Sequence, residues 1–281
     1  MSAQIIDGKK IAERFRADLA TKVALCPKQP KLAVILAGND EASKIYVRNK
    51  KKAAEEIGMA CEVFNFPEDV EENEIIALLG KLNEDASVHG IIVQLPLPKH
   101  LNEHRILESV KTEKDVDAFK QFMSGALWQN NAPWASATPR GVMYLLKTVT
   151  SDLSGKYAVV IGCSNIVGKP MAAMLLNEEC TVTMTHIKTQ NLPEILRMAD
   201  IVISACGCPK LIKKDWIKKG AIVLDVGITR VDGRLCGDVD FDEVKEVAGF
   251  ITPVPGGVGP MTIVMLLQNT YDACLKQMAS L

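Results

Sequence analysis

Three side chains with acid–base or hydrogen-bonding chemistry recur at short intervals in one segment, namely Ser43, Tyr46 and Lys50. Their spacing places them on one face of a helix that we predict over about residues 41–57. A tyrosine offers a flat ring for stacking and a phenol that orients a neighbouring group. A lysine transfers protons near neutral pH when burial or a nearby charge lowers its pKa. The three residues together suggest an acid–base site, although this spacing is also common by chance.

Further polar side chains follow an apolar run. Gln94 comes directly after Gly90–Val93, and parallel sheets bind ligands at the carboxyl ends of their strands. Asp115 and Asp117 lie in a short acidic loop that can reach the same end of a sheet. Each residue also has a plain structural interpretation, as a turn residue or a helix cap, so none of them identifies a site alone.

A glycine-containing turn follows the apolar run Tyr157–Ile161 and precedes a predicted helix. Gly162, Ser164 and Gly168 form G-x-S-x-x-x-G, an imperfect match to the dinucleotide-binding pattern G-x-G-x-x-G. Glycines let the backbone approach a pyrophosphate, and a helix N-terminus attracts its charge. No carboxylate occurs in Met184–Lys188, where an NAD site usually has its ribose-binding acid. The turn indicates dinucleotide binding but does not decide the cofactor.

Buried apolar runs alternate with helical segments along the chain, which predicts an α/β fold with parallel sheets and right-handed crossovers. The alternation restarts after residues 130–138, a stretch rich in Asn, Pro and Ser. We therefore predict a first domain over residues 1–137, completed by a C-terminal helix over 260–281, and a Rossmann-type domain over 138–259. Thr138 is expected to cap the first helix of the second domain, and Asn191 with Glu194 to form a capping box.

Composition excludes several classes of function. The 281 residues include 33 basic and 34 acidic side chains, so no net charge favours nucleic acid or an anionic membrane. No apolar run approaches the roughly 18 residues of a membrane helix, and the first residues do not resemble a signal peptide. The eight cysteines show no metal-binding spacing. We expect no metal, and reduced thiols in a cytoplasmic protein.

Five motifs occur in an order that resembles the methylene-tetrahydrofolate dehydrogenase/cyclohydrolase family. They are Tyr46-Val47-Arg48-Asn49-Lys50, Val93-Gln94-Leu95-Pro96-Leu97-Pro98, Lys114-Asp115-Val116-Asp117, Ile166-Val167-Gly168-Lys169-Pro170 and Thr252-Pro253-Val254-Pro255-Gly256-Gly257-Val258-Gly259-Pro260-Met261-Thr262. The resemblance covers essentially the whole chain. It implies two α/β domains with an active-site cleft between them, a homodimer, NADP as cofactor and tetrahydrofolate derivatives as substrates.

The resemblance also implies roles for single residues. Lys50 would be the main acid–base group, held by Gln94, while Tyr46 stacks on or orients the folate and Asp117 grips the pterin ring. The expected substrate-binding residues are Ser43, Tyr46, Asp117, Pro255, Gly256 and Gly257. The expected cofactor-binding residues are Gly162, Cys163, Ser164, Ile166, Val167, Ile187 and Thr229.

The sequence departs from the family pattern at the cofactor residues. Cys163 stands where the family usually has arginine and Ile187 where it often has serine, and those two positions commonly hold the extra phosphate of NADP. Ala118 replaces a glycine, Ser136-Ala137 replaces proline-cysteine and Thr229 replaces asparagine. We therefore expect NADP with NAD as a possibility.

Three alternatives stay open: a cyclohydrolase with weak or lost dehydrogenase activity, a non-catalytic folate- or nucleotide-binding protein on the same scaffold, and an unrelated Rossmann dehydrogenase. The intact set Tyr46, Lys50, Gln94 and Asp117 argues against the last two.

Overall fold

The computed structural model of the chain describes residues 2–279, which form two compact units. The first unit comprises residues 2–13 and Ala126–Thr262 and is called the six-stranded unit below. The second comprises Arg14–Gly125 and 263–279 and is called the three-stranded unit. These bounds differ from the predicted domain ranges, 1–137 with 260–281 and 138–259, which stay a prediction.

Strands and helices alternate along the described residues. The strands are β1 (Gln4–Ile5), β2 (Lys31–Ala37), β3 (Ala60–Phe66), β4 (Gly90–Val93), β5 (Tyr157–Ile161), β6 (Thr181–Thr185), β7 (Ile201–Ser204), β8 (Ile222–Asp225), β9 (Thr229–Val231), β10 (Arg234–Cys236) and β11 (Phe250–Ile251). The helices are α1 (Gly8–Ala24), α2 (Glu41–Glu56), α3 (Glu72–Glu84), α4 (Glu103–Glu108), α5 (Gln121–Trp128), α6 (Ala137–Lys147), α7 (Gly168–Asn177), α8 (Leu192–Met198), α9 (Phe241–Val244) and α10 (Val258–Ala279). Short 3-10 helices span Thr112–Lys114 and Lys214–Trp216.

The three-stranded unit contains a parallel sheet in the order β3-β2-β4. The central strand β2 is apolar from Leu32 onward and buried, as expected for a strand covered on both faces. Helix α2 begins where the Asp40 carboxylate accepts a hydrogen bond from the Ser43 N–H at 2.7 Å. This cap sets the phase of the helix and therefore the face on which its polar side chains lie.

The six-stranded unit contains a parallel sheet in the order β1-β11-β8-β7-β5-β6, and β9 and β10 form a separate antiparallel hairpin. Backbone hydrogen bonds join the segments that follow β5, β6 and β7 at one edge of this sheet. The Gly162 N–H donates to Thr185 O at 3.0 Å, and the Ala205 N–H donates to Ile161 O at 2.7 Å. The loops at the carboxyl ends of β5, β6 and β7 are therefore neighbours. The predicted α/β fold with parallel sheets is confirmed.

Two predicted helix caps are wrong. Helix α6 begins at Ala137 after Ser136, so Thr138 lies inside the first turn, and its hydroxyl is hydrogen-bonded to that of Thr262 at 3.0 Å. Asn191 does precede α8, but its backbone is left-handed with φ of 54° and its side chain makes no capping bond. A capping box requires an extended backbone at the cap residue, which this conformation does not provide.

Candidate active site

Helix α2 presents the predicted acid–base residues in the three-stranded unit. Ser43 is buried in the first turn, and Tyr46 is 44% exposed one turn later. Lys50 follows Tyr46 by one further turn and is partly buried. The predicted helical spacing therefore places Tyr46 and Lys50 on one face, with a ring accessible to a ligand beside a sheltered amine.

Lys50 is held by Gln94, the residue directly after β4. The Lys50 ammonium donates to Gln94 Oε1 at 3.0 Å, and Gln94 Nε2 donates to the Leu95 carbonyl at 2.8 Å. The second bond orients the amide, because its nitrogen must face a carbonyl and its oxygen must then face Lys50. A neutral acceptor of this kind binds the amine in its protonated and its neutral form. Gln94 therefore positions Lys50 without adding a charge.

Burial and Asp117 act in opposite directions on Lys50. Burial lowers the pKa of Lys50, and the negative charge of Asp117 partly opposes this decrease. The same pairing affects Asp117, because burial raises the pKa of its carboxyl while Lys50 lowers it. Lys50 and Asp117 are thus close enough to influence each other's protonation. A lysine with a lowered pKa is a better proton acceptor near neutral pH than an exposed lysine.

The segment before Asp117 is fixed by two buried charged residues. Lys114 Nζ donates to the carbonyls of Leu82 and Asp85, at 2.9 and 2.7 Å, at the end of α3. Asp115 forms a β-bridge with Ile91 of β4, and burial raises the pKa of its carboxyl to about 6. Lys114 and Asp115 thereby bind the acidic loop to the end of α3 and to β4, which sets the position of Asp117.

Cys61 is a neighbour of Lys50 that the sequence did not indicate. Burial raises the pKa of the Cys61 thiol to about 11, and Lys51 opposes this effect more strongly than Lys50 does. The thiol is consequently neutral near pH 7. A lone cysteine in a strand has no sequence signal that distinguishes a site neighbour from a core residue.

The predicted dinucleotide turn lies in the six-stranded unit and depends on glycine at two positions. Gly162 has φ of 111°, and a methyl group there would overlap the carbonyl oxygen of Ala205. A methyl group at Gly168 would overlap the carbonyl oxygen of Gly162. The first turn of α7 is thus packed directly on the end of β5, the close helix–strand packing that glycine provides in dinucleotide-binding turns.

Ser164 organises the N-terminus of α7. Its hydroxyl accepts hydrogen bonds from the N–H groups of Val167 and Gly168, at 3.2 and 3.4 Å, and its carbonyl accepts one from Lys169 at 3.0 Å. Ile166 is 40% exposed beside this turn. The positive end of the α7 dipole and an exposed apolar side chain therefore lie together, as a phosphate and a ring of a dinucleotide require.

Both substituted cofactor residues are exposed. Cys163 lies in the turn after β5, and Ile187, which is 94% exposed, lies in the turn after β6. The Ile187 turn is closed by hydrogen bonds between His186 and Thr189 at 2.8 and 2.9 Å. Neither a thiol nor a butyl side chain provides a charged hydrogen bond to a phosphate.

The remaining predicted residues also lie in the six-stranded unit. Thr229 begins β9, and its hydroxyl donates to the Gly207 carbonyl at 3.4 Å. In the segment from Pro255 to Gly257, Gly256 has φ of 100° and its carbonyl accepts a hydrogen bond from the Lys9 N–H at 2.9 Å. The structure therefore brings Lys50, Gln94 and Asp117 together in one unit and places the Pro255–Gly257 segment in the other.

Residues 2–279 contain no group of three or more His, Cys, Asp or Glu side chains arranged to hold a metal ion. Among the same residues, no helix combines the length and the apolar character that crossing a membrane requires.

Comparison with known proteins assigns the chain to a family. Residues 6–117 match the catalytic domain of tetrahydrofolate dehydrogenase/cyclohydrolase, and residues 136–278 match the NAD(P)-binding domain of the same family. The bifunctional protein FolD of Listeria innocua is 50% identical over 277 residues, which cover 97% of this chain and 98% of that protein.

Solved structures agree with this match. The FolD methylenetetrahydrofolate dehydrogenase/cyclohydrolase of Campylobacter jejuni superposes with a TM-score of 0.96 at 47% identity, covering 98% of this chain and 99% of that one. The Trypanosoma brucei enzyme, solved with NADP and an inhibitor, gives 0.95 at 38% identity and covers 99% of both chains. The chain therefore belongs to the tetrahydrofolate dehydrogenase/cyclohydrolase family.

Proposed function

We propose that the chain oxidises methylenetetrahydrofolate to methenyltetrahydrofolate with NADP and then hydrolyses the product to formyltetrahydrofolate, in one-carbon folate metabolism. Its membership of the family supports both activities. The observation in the structure that carries the proposal is the hydrogen bond between Lys50 and Gln94, with Asp117 close enough to shift the pKa of Lys50.

The first step is an oxidation. A hydride leaves the methylene bridge of the folate, and a delocalised methenyl cation remains on the substrate. NADP, when bound, supplies the hydride acceptor. The residues that would hold it are the glycine turn with Ser164, the N-terminus of α7 and Thr229. This part of the chain fits a dinucleotide because Gly162 and Gly168 let α7 begin directly against the end of β5 and the α7 dipole is positive there.

The second step needs proton transfer. Water attacks the methenyl carbon, loses a proton, and the ring opens to the formyl product. We assign the proton transfers to Lys50, because burial lowers its pKa towards neutral pH. Gln94 keeps the amine directed in both protonation states, Tyr46 offers its exposed ring to the folate, and Ser43 lies on the same helix.

We assign Asp117 to the pterin ring. A carboxylate accepts paired N–H donors, and this one is partly buried, where such bonds are strongest. Pro255, Gly256 and Gly257 are assigned to the folate wall on the basis of the family motif alone.

The experiment that tests the proposal follows both steps in one sample. Purified protein is given methylenetetrahydrofolate with NADP or with NAD, and the reduced cofactor and the methenyl product are recorded by absorbance. We expect reduced cofactor to form and the methenyl absorbance to decay faster than in buffer. A protein that binds folate but gives neither signal would contradict the proposal.

A second candidate, a cyclohydrolase with weak dehydrogenase activity, is favoured by Cys163 and Ile187. Loss of an arginine–phosphate bond is expected to weaken NADP binding about ten- to a hundredfold. NAD also lacks its usual ribose-binding carboxylate, so we predict kcat/KM values for the two cofactors within about tenfold of each other. Cys163→Arg should raise kcat/KM for NADP and leave that for NAD nearly unchanged. A strong NADP preference that Cys163→Arg does not alter would mean that another group holds the phosphate.

We further propose that the chain forms a homodimer. Strand β3 is an edge strand of its sheet, and a groove of about 600 Å³ lies between it and α3. The groove is lined by the apolar side chains of Val63, Phe64 and Leu78 and has Glu74 and Lys81 at its margin. An unpaired strand edge beside an apolar groove is a surface that a second copy can cover.

We also propose a cytoplasmic location. All eight cysteines are free thiols, which fits a reducing compartment.

A further inference from the structure

Two aspartates that the proposed reaction does not use are buried at the carboxyl ends of the strands in the six-stranded unit. Asp225 is the last residue of β8, and Asp238 follows the β9–β10 hairpin. The two residues are 3% and 0% exposed. Because a buried carboxylate is costly unless hydrogen bonds compensate for lost water, each needs its own set of donors.

The Asp225 carboxylate accepts hydrogen bonds from both ends of the segment that contains the β9–β10 hairpin. Its Oδ1 accepts hydrogen bonds from the N–H groups of Gly227 and Asp238, at 3.0 and 3.1 Å, and its Oδ2 accepts one from Val239 at 2.9 Å. Its own N–H donates to the Thr252 hydroxyl at 2.8 Å. One side chain therefore joins the entry and the exit of the hairpin, and its backbone joins them to the segment after β11.

Asp238 fixes the turn after β7. Its Oδ2 accepts hydrogen bonds from the Ser204 hydroxyl at 3.0 Å and from the N–H groups of Cys206 and Gly207, at 2.9 and 3.3 Å. Its Oδ1 is buried without a hydrogen-bond partner among the described residues. All donors thus converge on one oxygen of Asp238, whereas both oxygens of Asp225 are used.

Two glycines make room for these carboxylates. A methyl group at Gly227 would overlap the Asp238 carboxyl, and one at Gly237 would overlap Oδ2 of Asp225. Both glycines have ordinary negative φ, so backbone conformation does not require them. The chain lacks side chains at these positions because the carboxylates occupy the space.

The pair is not neutralised by a cation. No lysine or arginine within residues 2–279 is hydrogen-bonded to Asp225 or Asp238, and the charge of Asp238 acts on both Asp225 and Cys206. Burial and then Asp238 raise the pKa of Cys206 to about 12, so this thiol stays neutral. Burial, followed by the charge of Asp238, raises the pKa of Asp225 to about 7. The Asp225 carboxyl therefore changes between its neutral and its charged form near neutral pH.

The network reaches the dinucleotide turn through Cys206. The residue before it, Ala205, presents the carbonyl oxygen on which Gly162 packs, and its N–H donates to Ile161 at the end of β5. Gly207, also held by Asp238, accepts the hydrogen bond of Thr229. The two aspartates thus hold the backbone against which the turn of Gly162 is built.

We propose that Asp225 and Asp238 are positioning residues for the dinucleotide, a buried carboxylate pair whose hydrogen bonds fix the loops after β7, β8 and β11 against the glycine turn. This role rests on the proposed function only in naming NADP as the ligand. The two residues differ in a way that experiment can detect. An amide nitrogen accepts no hydrogen bond. Asp225→Asn therefore leaves at least one backbone N–H unpaired, whereas Asp238→Asn can turn its nitrogen to the oxygen position that has no partner.

The test measures NADPH affinity by fluorescence titration, without turnover, for the wild type, Asp225→Asn, Asp238→Asn and the control Asp242→Asn. Asp242 makes only an exposed ion pair with Lys245, so this control repeats the charge change at the surface of the same unit. Near pH 6.5, Asp225→Asn should weaken binding about ten- to a hundredfold and Asp238→Asn less than about threefold, since a buried backbone N–H is left without an acceptor only in the first.

The same titrations at about pH 6 to 8.5 test the charge of the pair. Ionisation of Asp225 beside Asp238 repels the two side chains in the wild type but not in Asp238→Asn, so the variant's affinity relative to wild type should rise with pH. The cofactor phosphate titrates equally in both experiments, so its effect is removed when the affinity of the variant is divided by that of the wild type. Equal losses in both variants, wild-type affinity in Asp225→Asn, or a ratio that does not change with pH would overturn the proposal.

If Asp225→Asn does not fold, Asp238→Ala takes its place, because it removes the acceptor of the Ser204, Cys206 and Gly207 donors and should weaken NADPH binding about ten- to a hundredfold. Wild-type affinity in Asp238→Ala would overturn the proposal. A wild-type protein that binds NADPH yet produces no methenyl product would refute the proposed function and leave the positioning role intact.

Discussion

The proposed role of Lys50 requires that its ammonium group can lose a proton and then act as a proton acceptor. Burial lowers the pKa of Lys50, and Gln94 accepts its hydrogen bond without supplying the negative charge that would raise the pKa again. A carboxylate at position 94 would stabilise the protonated form by a direct ion pair. The choice of an amide is therefore consistent with an amine that changes protonation state during the reaction.

The first prediction concerns Lys50 itself. Lys50→Met should lower the cyclohydrolase rate about 10²- to 10⁴-fold, the usual contribution of a positioned acid–base group. Folate affinity should change much less, because methionine keeps the apolar part of the side chain. Lys51→Met is the matched control, since Lys51 is exposed and has only a 3.9 Å ion pair with Glu55. Opening of methenyltetrahydrofolate by Lys50→Met at the parental rate, after subtraction of the spontaneous rate, would exclude this role.

The second prediction concerns Asp117 and has two measurable parts. Asp117→Ala should weaken folate binding about ten- to a hundredfold by calorimetry, the effect of losing a hydrogen bond to a charged group. The pH at which the cyclohydrolase rate increases should also be lower than in the wild type. Asp117 raises the pKa of Lys50, so its removal lets that pKa decrease further. NADPH affinity serves as the control. A shift of the pH profile to higher pH would contradict the sign of this interaction.

Residue types and spacing predicted one part of the site better than the other. Tyr46 and Lys50 share a helix, so their relation follows from helical period alone, and Gln94 follows a short apolar run of the kind that forms a buried strand. Asp225 and Asp238 are 13 residues apart, and their contacts arise only when the hairpin folds back. The one available signal was an aspartate at the end of the apolar run Ile222–Leu224, the position where Gln94 follows β4.

At the scale of elements, apolar runs indicated the central strands, whereas strands of two residues had no signal. Strand β5 coincides with the apolar run Tyr157–Ile161 and β4 with Gly90–Val93, since both runs are buried in the sheets. Strands β1 and β11 have two residues each and pair with one another, so neither has a period to recognise. The backbone conformation of Asn191 could not be predicted from local sequence either, because its left-handed backbone depends on the surrounding loop.

The third prediction concerns Ala118, in the turn that follows the 3-10 helix Thr112–Lys114. Ala118 has φ of 57°, a left-handed conformation that costs a residue with a Cβ about 1–2 kcal/mol. Part of this cost is offset by the greater flexibility of glycine in the unfolded chain. Ala118→Gly should therefore raise the free energy of unfolding by roughly 0.5–1 kcal/mol, measured as a higher urea midpoint.

The control for this turn is Ala17→Gly, an exposed position inside α1. There glycine should lower the free energy of unfolding by about 1 kcal/mol, because it loses more conformational freedom in a helix than alanine does. Equal destabilisation by both substitutions would show that Ala118 is not strained.

At the scale of the whole molecule, the chain leaves each unit and returns to it. Both α1 and α10 contain a boundary between the units, at Glu13/Arg14 and at Thr262/Ile263. The short strand β1 was not anticipated, and it explains why the first residues belong to the six-stranded unit.

The proposed homodimer gives the last prediction. In that dimer, a two-fold axis through the middle of β3 would pair this strand with its copy in antiparallel orientation and bring the start of α3 in one copy opposite the end of α3 in the other. Glu74 and Lys81 are both exposed and lie two turns apart on α3, so each Glu74 then faces the partner's Lys81. The proposed arrangement would be self-complementary in charge.

Lys81→Glu converts both of these contacts into repulsion and should weaken the dimer about tenfold in sedimentation equilibrium, since each exposed pair contributes about 0.2–1 kcal/mol. Glu74→Lys alone should weaken it similarly, while the double variant Glu74→Lys/Lys81→Glu restores attraction with reversed charges and should recover most of the affinity. Lys99→Glu, an exposed lysine outside the groove, is the control. Single variants that dimerise as the wild type does, or a double variant as weak as the single ones, would place the interface elsewhere on the chain.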